Sequence, residues 1–169
     1  LVIALVASLG VVALLIMIVV RPDQGPLAPP TDYRSAAAAA QSAFDEPLLV
    51  PDLPDDWRAN RAEIDTGSDG IRSWQVGFVT PAQQYISTAQ GIDANPTWVA
   101  AQIRDAKAVD TMTIGGVEWA VHDRRDADDI GNVGFALVAE VGRSTIVIAG
   151  TAGDAEFETI ATAIAKEIR

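Results

Sequence analysis

Residues 111–122 read Thr-Met-Thr-Ile-Gly-Gly-Val-Glu-Trp-Ala-Val-His. A Gly-Gly pair accepts the positive φ angles that a two-residue hairpin turn requires. Its flanks are rich in residues that favour a pleated surface. Strands are therefore expected at 111–114 and 117–122. On the second, Val117, Trp119 and Val121 alternate with Glu118, Ala120 and His122, the period of a strand with one face in the core.

The same period extends in both directions. Upstream, 57–65 reads as a strand closed by a turn around Gly67–Gly70. Residues 71–80 form a second strand, with Trp74, Val76 and Phe78 on one face, and 85–89 form a third. Asn95 before Pro96 is a helix-start arrangement, and the apolar spacing predicts a helix over 96–108. Downstream, a polar loop at 123–132 leads to strands at 133–141 and 144–149. A closing helix spans 154–168, with Phe157, Ile160, Ala161, Ile164 and Ile168 as its buried stripe. Asp154, Glu156 and Glu158 stand at its positive end and Lys166 and Arg169 at the other, as the macrodipole favours.

The order βββ-α-ββββ-α, with short connections, implies an α+β fold: an antiparallel sheet with packed helices. Both helices are expected on the face carrying Trp74, Trp119 and Phe135.

Residues 1–20, LVIALVASLGVVALLIMIVV, carry no charge, and 14 of them are Leu, Ile or Val. As a helix they would span about 30 Å, the thickness of a hydrocarbon core. A retained transmembrane helix is expected, in preference to a cleaved signal peptide or a buried core helix. Residues 21–34 follow as a Pro-rich linker, then an acidic domain over 35–169. Within that domain Ser35 is a candidate N-cap for an alanine-rich helix docked by Phe44. Three prolines keep 47–57 extended, with Leu49, Val50, Leu53 and Trp57 plugging an edge.

The charge of −11 lies wholly on residues 21–169, where 23 acids face 12 bases. Nucleic-acid binding needs the opposite balance. No cysteine is present, which removes disulfides, thiolate chemistry, Cys-zinc sites and lipoprotein acylation.

Several segments together resemble the actinobacterial domain of unknown function 4245 family. They are Leu49-Val50-Pro51-x-Leu53-Pro54-x-x-Trp57-Arg58, then Trp74, Val76, Gly77, Phe78, Thr80 and Pro81 with Tyr85 beyond. Gly116-x-x-Trp119 and Gly150-Thr151-Ala152 complete the set. The resemblance implies membrane anchoring with the domain extracytoplasmic, although Arg21 and Arg34 alone would favour a cytoplasmic C-terminus. It implies no activity. At fold level the layout is similar to Mog1/PsbP-like domains, which are binding and assembly factors.

No residue set makes a catalytic site. His122 is the sole histidine, and no nucleophile signature accompanies it; a surface strand position is expected. Asp126, Asp128 and Asp129 are the candidate metal ligands, of the oxygen type calcium prefers, although the spacing departs from an EF-hand and Arg124 and Arg125 offer counter-charges. Gly150–Asp154 lacks the lysine of a phosphate loop. Trp57, Trp74 and Trp119 are expected in the core, and Trp98, if exposed, is the candidate binding residue. The function expected is a non-enzymatic binding or assembly module of the cell envelope, with the membrane and an envelope protein as partners and no cofactor. The alternatives are a small-ligand or lipid-binding domain and a carboxylate-dependent hydrolase.

Overall fold

The computed structural model describes residues 29–67 and 69–168. The span expected over residues 1–20 lies outside them. Among the described residues no helix is long and apolar enough to cross a membrane.

The strands are β1 Arg58–Thr66, β2 Arg72–Val79, β3 Tyr85–Ile92, β4 Asp110–Ile114, β5 Val117–Asp123, β6 Phe135–Val141 and β7 Ser144–Gly150. The helices are α1 Tyr33–Ala40, continued by a 3-10 turn at Gln41–Ala43, then α2 Pro96–Gln102 and α3 Asp154–Glu167. One antiparallel sheet results, in the order β1-β2-β3-β7-β6-β5-β4. The expected element order stands, but the last four strands run inward from the far edge. β7 thereby pairs with β3, leaving β1 and β4 as the two edges.

The α3 face holds the larger core. Trp74, Phe78, Ile86, Trp119, Leu137 and Ile148 meet Phe157, Ile160 and Ile164, all at most 2% exposed. The expectation that both helices share this face is corrected: α2 packs on the other one. There Trp98 and Ile103 cover Ala89, Ala136, Val147 and Ala149. The small side chains make the space. A Cβ on Gly91 would lie 3.0 Å from the Trp98 ring. α2 is also shorter than expected. Arg104 and Asp105 adopt positive φ, and the Asp105 amide returns to the Ala100 carbonyl at 2.8 Å, ending the helix without a glycine.

Two further expectations change. Asp32, not Ser35, caps α1; its carboxylate accepts from the Ser35 amide at 3.0 Å and the Ser35 hydroxyl at 2.6 Å. Folded structure thus begins inside the stretch read as linker, since the Thr31 amide also bonds the Ala59 carbonyl at 2.8 Å and Tyr33 stacks edge-on against Phe78. The segment 47–57 lies across the sheet rather than at its edge. Leu48 and Leu49 are buried, the Trp74 indole donates to the Leu49 carbonyl at 3.1 Å, and Gln90 accepts from the Leu49 amide at 2.8 Å while donating to the Pro47 carbonyl at 2.9 Å.

Candidate functional site

Trp98 is not an exposed platform. It is 2% exposed, its amide is capped by Asn95 at 2.8 Å, and its indole N–H has no partner among the described residues. His122 is also buried rather than on the surface. Its Nδ1 lies 2.9 Å from the Ala106 carbonyl and so ties down the α2–β4 connection. Asp126, Asp128 and Asp129 stand exposed in the β5–β6 loop, and no group of three metal-ligating side chains converges among the described residues. The loop is organised instead by Arg124, which donates to the carbonyls of Val133 at 3.2 Å and Asp129 at 3.1 Å. Gly150–Asp154 serves as a helix start, with Glu156 accepting from the Gly153 amide at 3.0 Å.

The sheet and α3 form a different site. The β4–β5 turn comes close to α3 at Gly115, which has φ +61° and where a Cβ would fall 2.5 Å from that of Ala165. Any larger residue would lift the hairpin. Toward the start of β4, strand and helix leave a cleft of about 530 Å³ between them. Its floor is Val121, Phe135, Leu137 and Phe157, and Met112 and Val109 stand at its mouth, 40% and 64% exposed.

Arg125 spans the open end. Its guanidinium meets Asp123 at 2.6 Å and Asp154 at 2.8 Å, and it lies 4.7 Å from the centre of the Phe135 ring, which itself packs edge-on against Phe157. The bond from Arg125 holds the Asp123 carboxyl below its usual range. A carboxylate held ionised suits electrostatic fixing of the rim better than proton donation. Asp110 and Glu158 complete the mouth. The floor is apolar, and four acids and Arg125 form the rim.

Sequence reasoning found none of this cleft. It treated Arg125 as a counter-charge to the loop aspartates, because a pairing with Asp154, 29 residues away, has no local signature. Met112 and Val109 gave a usable sign: both are apolar residues beside a hairpin whose partner strand already fills the buried face.

The sequence matches the family described as protein of unknown function, DUF4245, over residues 1–164. The chain belongs to that family. No curated protein and no solved structure matches it. The segments that carry the resemblance to DUF4245 are chiefly structural. Trp74 binds Leu49, Tyr33 donates to the Pro51 carbonyl at 2.7 Å, and Trp57 stacks on Phe78. Gly77 and Gly150 sit where a Cβ would strike Asn60 and the Tyr85 backbone, respectively. These residues build the scaffold and stand apart from the cleft.

Proposed function

We propose that this DUF4245 protein is a membrane-tethered, extracytoplasmic, non-enzymatic binding domain whose ligand site is the cleft between β4 and α3. The observation that carries the binding role is the cleft itself: an apolar floor with exposed Met112 and Val109 at a charged mouth. Such a combination is typical of a recognition site. The tether would be residues 1–20, whose uncharged length fits a bilayer core. The described chain joins the sheet at β1, through Thr31 and Ala59, and the cleft lies at the edge farthest from that junction. Six strand spacings make that about 29 Å. A binding and assembly role also agrees with the fold-level analogy to Mog1/PsbP-like domains. A small apolar ligand is the second reading, favoured by the cleft's volume.

Two measurements test the proposal. The chain has no cysteine, so Asp128→Cys introduces one label site. It is expected to react with a membrane-impermeant maleimide in intact cells; reaction only after lysis would reverse the topology. The chain has two methionines, Met17 and Met112. With 13C-methyl methionine in the full chain, held in phosphatidylcholine nanodiscs, indole is expected to shift the Met112 signal saturably. A Met112 signal indifferent to indole would remove the cleft as a small-molecule site.

A further inference from the structure

We infer that the cleft belongs to a larger docking edge, and that its partner is an extended, basic polypeptide segment added to β4 as an eighth strand. This rests on the cleft being a binding site, and it names the occupant. Three observations on the molecule support it.

The first is the edge. Unpaired strand edges invite pairing, and proteins protect them with charge, proline, bulges or covering segments. β4 pairs with β5 on one side and, among the described residues, with no strand on the other. Ile114 and Val117 flank the two-residue turn as a hydrogen-bonded pair, so the amides and carbonyls of Thr111 and Thr113 point outward. The core of β4, Thr111-Met-Thr-Ile114, has no charge and no proline. Among the described residues Asp110 covers it locally: its carboxylate accepts from the Thr111 amide at 2.8 Å, a contact that a strand's carbonyl would replace.

The second is shape. β4 is hollow on both sides. The cleft lies on the α3 face, and a depression of about 580 Å³ reaches from Thr111, Glu118, Val138 and Glu140 on the opposite one round the hairpin end to Val141 and Ile168. Alternate side chains of an added strand would face these two hollows in turn.

The third is charge. Asp110 and Glu158 flank β4 on the α3 side, and Glu118 and Glu140 on the other. None of the four makes an ion pair among the described residues. Lysine or arginine on the incoming strand would meet carboxylates on either face. A second copy would bring the same acids together on chains of charge −11, which disfavours self-pairing.

The test uses the full chain in phosphatidylcholine nanodiscs and random 12-residue peptides displayed on phage. Selected peptides are expected to alternate apolar residues with Lys or Arg. They should shift the Met112 methyl signal and slow amide exchange across 110–114. Their affinity should fall at least tenfold between 50 and 500 mM salt. Thr113→Pro removes an outward N–H without breaking a bond to β5 and should weaken binding at least tenfold. Met112→Lys leaves every backbone group in place, places a cation at the mouth and should do the same, so the inference stands even if the proline variant misfolds. If indole still shifts Met112 but no selected peptide protects 110–114, the cleft remains a site and strand addition is overturned. If neither indole nor peptide moves Met112, both fall. A dimer seen by light scattering and abolished by Thr113→Pro would replace the partner with a second copy.

Discussion

The two edges of this sheet are built in opposite ways. β1 carries Arg58, Arg61, Glu63 and Asp65, has a register shift between Ala59 and Arg61, and receives the Thr31 amide on Ala59. α1 packs beside it, and the strap at 47–57 crosses the neighbouring strands. Charge, bulge and cover are the devices that keep a strand edge from pairing. β4 has a single aspartate at its start, an uncharged centre and hollows on both faces. The same sheet is therefore closed at the side where Thr31 joins it and open at the far side. An edge is left open where pairing is tolerable or useful, and the acidic surroundings of β4 restrict which chains can use it.

The largest effect is expected on the closed side. Trp74 is fully packed and its indole holds the strap through Leu49. Trp74→Ala should cost about 3–5 kcal/mol, since it leaves a cavity and an unpaired carbonyl. Urea unfolding of the full chain in neutral detergent would measure it. A loss under 1 kcal/mol would mean that the strap is held elsewhere.

The cover over β1 can also be removed from its end. A chain starting at Pro29 keeps the Asp32 cap and the Tyr33–Phe78 contact, whereas one starting at Ser35 loses both. The shorter chain should fold but be less stable by roughly 2–3 kcal/mol. Equal melting temperatures would show that residues 31–34 lie against the domain without supporting it.

How much of this contrast was readable in advance follows from where the information sits. Strand positions came through because alternation is local, as in Trp74, Val76 and Phe78. Sheet order did not, because nothing local tells β7 to pair with β3. Placing α2 on its own face was within reach. Phe135-Ala-Leu-Val-Ala139 and Ile146-Val-Ile-Ala149 are continuous apolar runs, the mark of strands covered on both sides. That pattern required a second apolar layer, and Trp98 was the large residue available for it. The positive φ of Arg104 and Asp105 left no sign, since neither is glycine. The cleft stayed hidden because it depends on the angle between β4 and α3. The close approach of Gly115 to Ala165 helps to set that angle, and it joins residues 50 apart.

That contact gives the next test of the open side. Gly115→Ala combines a left-handed backbone with a side chain aimed at Ala165. A cost of about 1–2 kcal/mol is expected, with β4 displaced from α3. Altered indole affinity at Met112 would report the displacement. Unchanged stability would mean that the hairpin turn moves freely on the helix.

Acid should loosen the other end of the cleft by less. Arg125 lowers the Asp123 pKa, so the folded form holds its proton more weakly than the unfolded chain does. The stabilisation is complete above the unfolded value of about 4 and is lost as pH falls through the lower, folded value. The Met112 methyl signal should therefore be constant from pH 7 to 5 and change only below about pH 4. A change centred near pH 6 would point to a group other than Asp123.

The smallest effect on stability separates an opening from a packing seam. Met112 faces α3 from the edge strand but is 40% exposed, and the neighbouring acids Asp110 and Glu158 make no ion pair among the described residues. A lysine on an edge strand is a common natural guard against pairing. Met112→Lys would give β4 the kind of protection β1 already has, with its stem along the apolar floor and its ammonium among carboxylates. Stability should change by less than about 0.5 kcal/mol, as at most surface positions. A loss above about 2 kcal/mol, of the size core truncations give, would mean that Met112 holds the strand to the helix. The cleft would then be part of the core, and the difference between the two edges would be one of packing rather than of access.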